Sequence, residues 1–337
     1  MTQFVIFPVD TVGMCCWASD LDRRNRDFLS SIDYRFFEYT ARLHGQQLTG
    51  ESRQQAAIAL RVGYHHGLET LFTLLGAALQ APDCVVGYVP HLRASQLKNL
   101  VDRFSRRDHS LVRLKLDEYS WAGLSRCINR FPSASDPDRK LAERFGTLWA
   151  RLAHDFRDES NQQEYNSIKH GFRVQAGGFA LAIGIEPAFG VPAPPEAMRL
   201  IGKSEFGTSF FVPKGIPGGS RSQSLNFQVR RVSLNWNAHG ITAALLLMAM
   251  SINNVVSYLK LLNHMPNEDI HFIVPEDGGL FDEPWRDSPG TTMCDFDELL
   301  AESDIEVFSE EDIMARIKRG FEQNSGTDDE SSTARNT

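Results

Sequence analysis

From Glu51 to Leu79, apolar residues recur at the spacing of a single long helix, with three glycines set among them. Ala56, Ile58, Ala59, Leu60, Val62, Leu68, Leu71, Phe72, Leu75 and Leu79 make the pattern, Thr49 stands near its start as an N-cap, and Pro82 follows its end. Gly63, Gly67 and Gly76 would each weaken an isolated helix by up to ~1 kcal/mol. Their presence predicts a helix packed closely against neighbours. A chain that contains such an element has to build a helical core around it.

The neighbouring segments agree. Arg26–Gly45 carries Phe28, Leu29, Ile32, Phe36, Phe37 and Leu43 near helical spacing. Helices are expected at Trp121–Phe131 and at Pro137–Gly171, the second with Leu141, Phe145, Leu148, Trp149, Leu152 and Phe156 on one face. Ser133–Pro137 between them reads as a turn. Another helix is expected from about Asn237 to Asn263. The N-terminal run through Val9 reads as a short strand, since it lacks a basic region and stops at Pro8 and Asp10. Ile241–Met250 is about half the length of a membrane span and is then interrupted by Asn253 and Asn254, so a core helix is expected and no membrane association.

Period two replaces period 3.6 after residue 174. Phe179, Leu181, Ile183 and Ile185 alternate with Ala180, Ala182 and Gly184, and Phe210–Val212 and Leu225–Leu234 read as further strands around the loop Pro213–Ser224. The alternation slips at Arg230–Arg231, as a bulge would make it. Beyond Pro266, Ile270–Val274 reads as an edge strand and Glu310–Phe321 as a short amphipathic helix. The expected fold class is mainly α: a helical bundle with a small inserted antiparallel β-sheet and a disordered acidic C-terminal tail. The expected organisation is a mainly helical body over residues 1–266, with the β insertion at about 174–236. An acidic extension over 267–322 and a disordered tail over 323–337 follow.

The net charge of −8 conceals a division. Residues 268–337 hold 20 Asp/Glu against 5 Lys/Arg, a balance of −15, which leaves 23 against 30, or +7, for residues 1–267. A cationic body attracts phosphate backbones or acidic partners. The tail Gly326–Thr337 has too little apolar surface to order itself, and it either aids solubility or covers the basic surface. The basic stretch from His91 to Lys115 includes Arg103, Arg106 and Arg107, which are candidate binding residues for a nucleic-acid or protein partner. Five cysteines without C-x-x-C spacing suit a reducing, cytoplasmic setting, with a reactive thiol at Cys15 or Cys16 as the other reading.

Walker loops, dinucleotide-binding glycine patterns, H-E-x-x-H, nucleophile elbows and zinc-ribbon spacings are all missing, so neither cofactor nor metal is expected. The densest polar cluster is Glu164–Arg173, EYNSIKHGFR. Asn166 and His170 share a helix face with Lys169 beside them, and Gly171 suits the left-handed position that ends a helix. His170 would meet the negative end of the helix dipole, and with Lys169, Arg173 and the Asn166 amide it could hold a phosphate; the alternative is a helix end satisfying its own carbonyls. His65 and His66 form a second candidate, with Arg61 and His66 in R-x4-H spacing and His65 four residues before Glu69. They read either as catalytic or as buried histidines hydrogen-bonded in the bundle.

Long helices bearing R-x4-H, with a second polar element ending Lys169-His170-Gly171, resemble the HEPN superfamily over about residues 26–173. The resemblance implies a helical bundle, common in bacterial toxins and phage-defence proteins, and often a dimeric, metal-independent ribonuclease. It would make Arg61, His66 and His170 catalytic, with Arg61 stabilising the phosphorane and a histidine as acid/base. Arg61 is followed here by apolar Val62, where the family often has a polar residue, and Arg103 with His109 gives a second, R-x5-H match. Three readings stand on the sequence. The first is a non-catalytic interaction or regulatory protein using the basic stretch and a sheet edge. The others are the HEPN-like RNA-cleaving alternative, which implies a homodimer, and a small-molecule pocket among the glycine-dented helices.

Overall fold

The structure is a computed structural model, and it describes residues 4–129, 136–215, 227–286, 290–296, 306 and 308–327. Two strands open the chain, β1 (Phe4–Val9) and β2 (Val12–Trp17), paired antiparallel with Phe4 opposite Trp17 and Val9 opposite Val12. The hairpin turns at Asp10, which adopts a left-handed φ of 54°, and its backbone N–H donates to Gln80. Short helices α1 (Leu21–Ser31) and α2 (Arg35–Gly45) lead to α3 (Arg53–Gln80), the long helix that the glycine-dented pattern predicts. α4 (Val85–His91), α5 (Ala94–Ser105), α6 (Trp121–Ile128), α7 (Asp136–Arg157) and α8 (Glu159–Lys169) follow.

The single helix expected over 137–171 is two. Asp158 leaves helical geometry, and its carboxylate accepts from the Asn161 backbone N–H, the arrangement of an N-cap. That break lets α8 set off afresh, which decides where the Glu164–Arg173 segment lies.

The β architecture corrects the expected fold class. In place of one small inserted sheet, the described residues form three sheets. One is the N-terminal hairpin, whose second strand the sequence reading missed because Cys15, Cys16 and Trp17 show no alternation with polar residues. The second pairs β4 (Ala180–Ile183) with β5 (Arg199–Lys203). The third has four strands in the order β3 (Val174–Ala176), β6 (Gly207–Gly215), β7 (Phe227–Asn235) and β8 (Thr292–Phe296). β8 comes from the acidic region expected to be an extension. The tail also differs: α10 (Glu310–Thr327) continues through residues 323–327, and 328–337 lie outside the described residues, as does most of the Pro213–Ser224 loop.

The chain divides into two compact units, Met1–Ser209 with Leu234–Met293, and Phe210–Ser233 with Cys294–Thr337. In the first, α3 packs most extensively on α9 (Ala238–Leu262), with α2 against both. Gly76 shows why α3 carries glycine: a Cβ there would stand 2.8 Å from the Tyr88 hydroxyl and 3.0 Å from Leu100. In the second unit, Arg230 pairs with Asp295 at 2.7 Å, and Ser309 and Asp312 bond reciprocally at the start of α10. Met314, Ile317 and Phe321 on α10 are exposed.

Helix α9 is long and apolar enough to cross a membrane, and 83% of its most apolar 18-residue stretch is buried inside the protein. Asn253 and Asn254 do not interrupt it. They sit inside the helix and hold the segment expected to be an edge strand. Asn254 donates to the Ile273 carbonyl at 2.9 Å and accepts from the Ile273 N–H at 2.7 Å. Asn253 and Ser257 donate to the His271 carbonyl at 2.6 and 2.7 Å. Side chains of a helix thus satisfy backbone groups that a neighbouring strand would otherwise pair. Replacing Asn254 with Ala strands the half-buried Ile273 amide and the buried Asn129 side chain, which Asn254 also bonds at 3.0 Å. We expect a loss of about 2–4 kcal/mol in urea unfolding; a loss below ~0.5 kcal/mol would mean the segment is not held by these bonds.

Candidate functional site

Helices α3 and α8 bring their polar residues together in two tiers. The i, i+4 spacing puts Arg61 and His65 on one face of α3, and Asn161 and Glu164 share a face of α8. These four form a buried tier: Arg61 is 2% exposed, His65 4% and Glu164 fully enclosed. The adjoining faces carry His66 and Glu69 on α3 and Tyr165 and Lys169 on α8, and this second tier opens to solvent.

Glu164 is the hub of the buried tier. Its Oε2 accepts from Arg61 Nη2 at 2.6 Å, from Arg61 Nε at 2.8 Å and from His65 Nε2 at 3.1 Å. Its Oε1 accepts from the Thr208 hydroxyl and from the indole Nε1 of Trp236 at 3.1 Å. Arg61 Nη2 also donates to Asn161 at 2.7 Å, and the guanidinium lies 5.4 Å from the ring centres of both Tyr64 and Trp236. Tyr64 in turn donates to Asp155 at 2.6 Å. Both carboxylate oxygens are therefore saturated by donors, as a buried charge requires.

Burial pushes the Glu164 carboxyl up, but the Arg61 charge and the bonds from His65 and Arg61 outweigh it and hold the group at about 2. Burial, and then the Arg61 charge, push His65 below its ordinary value, although the Glu164 bond pulls the other way. The close His65–Glu164 contact would be an ion pair only for a protonated ring. With the ring driven toward its neutral form, it is a hydrogen bond from neutral imidazole, and the charge on Glu164 is balanced by Arg61.

Space near this cluster is small. A cavity of about 40 Å³, room for about one water, lies against Arg61, Tyr64, Asp155 and Trp236. Beyond Trp236, a cavity of about 610 Å³ opens among Phe179, Leu181, Ile201 and Phe206. The open tier borders a groove of about 540 Å³, where His66, Glu69, Tyr165 and Lys169 form one wall and Phe28, Ile32, Phe36, Leu74, Val89 and Leu92 are apolar. Here Tyr165 donates to Glu69 at 2.6 Å and Lys169 stands 3.5 Å from Glu69. His66 meets the Tyr165 ring edge-on at 5.7 Å between centres.

The residues singled out from the sequence are thus dispersed. Arg61 is in the buried cluster, while His66 and Lys169 line the groove. His170 caps the end of α8, its N–H donating to the Asn166 carbonyl at 3.0 Å, and Gly171 beyond it takes a φ of 114°. Asn166, His170 and Arg173 are exposed. Arg103, Arg106 and Arg107 lie at the far end of α5; Arg103 pairs with Asp108 at 2.8 Å and Arg106 with Asp102 at 2.9 Å. Arg113 is likewise bound, to Asp83 at 2.9 Å. Three of the seven cations of the basic stretch, Arg103, Arg106 and Arg113, are thus paired with carboxylates of their own chain. No group of three or more His, Cys, Asp or Glu placed to hold a metal occurs among the described residues.

The sequence reading missed Glu164 as the hub, together with Asn161, Thr208 and Trp236. Glu164 opens the polar segment and falls on the buried face of α8 with Asn161, Ser167 and Ile168, a largely polar face that no apolar periodicity marks. Nothing local marks Thr208 or Trp236. No protein-family model, curated protein or solved structure matches the chain.

Removing the Glu164 charge leaves Arg61 buried and unpaired, so Glu164→Ala is expected to cost about 3–5 kcal/mol in urea unfolding. Both pKa shifts tie stability to pH with the same sign. Since the folded His65 takes up a proton less readily than the unfolded one, stability falls as pH drops below about 6.5. Glu164, depressed to about 2, adds a further loss as pH falls from about 4.5 toward 2. Unfolding curves between pH 7 and pH 5 test the first part: the slope there should flatten in His65→Gln, and an unaltered slope would remove His65 from this account.

Proposed function

We propose that this chain is a cytoplasmic, non-catalytic interaction protein that receives an apolar segment of a protein partner in the groove lined by α1, α2, α3, α4 and α8. The observation that carries this reading is the state of Arg61 and His65. Both are enclosed, and both spend their donors on Glu164. A guanidinium held this way cannot meet a phosphate without stranding a buried carboxylate, which would cost several kcal/mol before any chemistry began.

The groove has the size range of ordinary ligand sites and the character of a helix-receiving surface. Phe28 near the end of α1, Ile32 just beyond it and Phe36 at the start of α2 offer apolar surface to the groove, and Phe36 is exposed. Lys169 and His66 stand on one wall. A complementary partner is an amphipathic helix with apolar residues at i, i+3 or i+4 and i+7, flanked by an acidic residue that meets Lys169.

Two measurements separate this from the RNA-cleaving alternative. RNA incubated with the protein in excess EDTA should remain intact; cleavage that disappears in His66→Ala or His170→Ala would overturn the proposal in favour of a HEPN-like ribonuclease. Selection from a random displayed-peptide library, counter-selected on Phe36→Asp, should enrich apolar residues at helical spacing with an adjacent acid. Enrichment indifferent to Phe36→Asp, or none, would refute the groove.

A further inference from the structure

The N-terminal hairpin sorts its two adjacent cysteines onto opposite faces. Side chains alternate along a strand, and Val5 stands opposite Cys16 as Phe7 stands opposite Met14. Val5, Phe7, Met14 and Cys16 therefore share one face, and Ile6 and Cys15 share the other. Burial follows the same division. Phe7 is 2% exposed and Cys16 half-buried, whereas Ile6 is 73% exposed and Cys15 lies in solvent.

A third cysteine reaches the inner face from the turn between α3 and α4. Cys84 is fully buried there. A Cβ built on Gly87 would stand 2.7 Å from the Cys84 sulfur and 3.1 Å from the Phe7 ring, so the glycine lets α4 bring that sulfur beside the hairpin. At this contact the Cys84 thiol donates a hydrogen bond to Cys16. The Cys16 thiol in turn donates to the Trp17 carbonyl at 3.6 Å. The other two cysteines lie elsewhere, Cys127 against the Tyr258 hydroxyl at 3.2 Å and Cys294 in β8.

The two thiols that meet are unequal. Burial, and then the neighbouring Cys16, push the Cys84 thiol up to about 12, so it stays protonated at neutral pH. Cys16 is the one that solvent reaches. An accessible thiol beside a resolving one is the arrangement that oxidation exploits. The Cys16 sulfur attacks one oxygen of hydrogen peroxide, the O–O bond breaks, and the other oxygen leaves with the Cys16 proton as water. The Cys84 sulfur then displaces the hydroxyl of the resulting sulfenic acid, which departs as a second water with the Cys84 proton. Two thiols and one peroxide give one disulfide and two waters. Positioning offsets the weak acidity of Cys84, because a well-oriented intramolecular reactant acts at an effective concentration on the order of 10⁵ M or more.

From the shared inner face, the gap at Gly87 and the thiol–thiol contact, we propose that Cys16 and Cys84 are a peroxide-responsive dithiol, Cys16 reacting first and Cys84 closing the disulfide. Closure ties β2 covalently to the start of α4. This inference uses no part of the groove, so either can fail without the other.

Mass spectrometry on the full chain, treated with a small excess of hydrogen peroxide and then with N-ethylmaleimide, tests it. Two of the five thiols should be lost to alkylation, a peptide pair joined through Cys16 and Cys84 should be found, and dithiothreitol should restore both thiols. Cys15→Ser should leave that bridge unchanged, and Cys16→Ser should abolish it. Both positions are on the hairpin surface, and an unchanged circular dichroism spectrum would verify that each variant folds. In Cys84→Ala, Cys16 should stop at the sulfenic acid and be captured by dimedone, a product that wild type does not accumulate. Retention of all five thiols, a bridge through Cys15, a bridge between chains, or a bridge to Cys84 that survives Cys16→Ser would each overturn the proposal.

Discussion

The Glu164 carboxylate, fully enclosed, is the constraint around which the first unit is arranged. It receives Arg61 and His65 from α3, Thr208 from β6 and Trp236 from the link between β7 and α9. A charge in that position is tolerable only if every donor arrives together, because losing one leaves the others pointing at an unsatisfied ion. The cluster therefore couples the long helix, the short helix after Asp158 and the strand ends into one arrangement. It also encloses Arg61 and His65, whereas His66 and His170 stay exposed.

What remains for recognition lies outside that cluster, on surfaces where polar side chains border exposed apolar area. The groove places His66 and Lys169 beside apolar surface, and the hairpin of β4 and β5 carries Ile185 and Phe189 into solvent. These two surfaces differ in kind. The groove is concave with a mixed wall, whereas the hairpin projects its apolar side chains into solvent. Within the cationic body, Arg103, Arg106, Arg113 and Arg126 are each paired with a nearby carboxylate, while the net balance of +7 already counts those carboxylates. Exposed pairs of this kind add little stability, but they do remove free charge from the surface.

Much of the helical framework was legible in the sequence because helix formation depends on local periodicity. The α3 pattern, its close-packing glycines and the end of α8 at Gly171 could all be read from spacing and residue type. The misreadings came where local pattern is silent or ambiguous. Asp158 looked like one more polar residue in a helix until its carboxylate was seen to cap the next one. Ile270–Val274 had a strand's composition, yet Asn253, Asn254 and Ser257 of α9 provide the hydrogen bonds a strand would have sought. β8 was hidden because its strand partner, β7, is more than fifty residues away in the chain.

The candidate sites divide along the same line. Sequence alone determined that Arg61, His65 and His66 share one helix and that Glu164 to His170 lies on another, since both follow from helical spacing. Only the tertiary structure decided that Arg61 and His65 turn inward to a carboxylate while His66 turns outward to a groove. One residue of rotation, about 100° around α3, separates a locked histidine from an open one. Which side of the helix faces the core is fixed by the packing of α8, α9 and the strand ends against it. That packing is a sum of contacts between residues far apart in the chain, which no local pattern encodes.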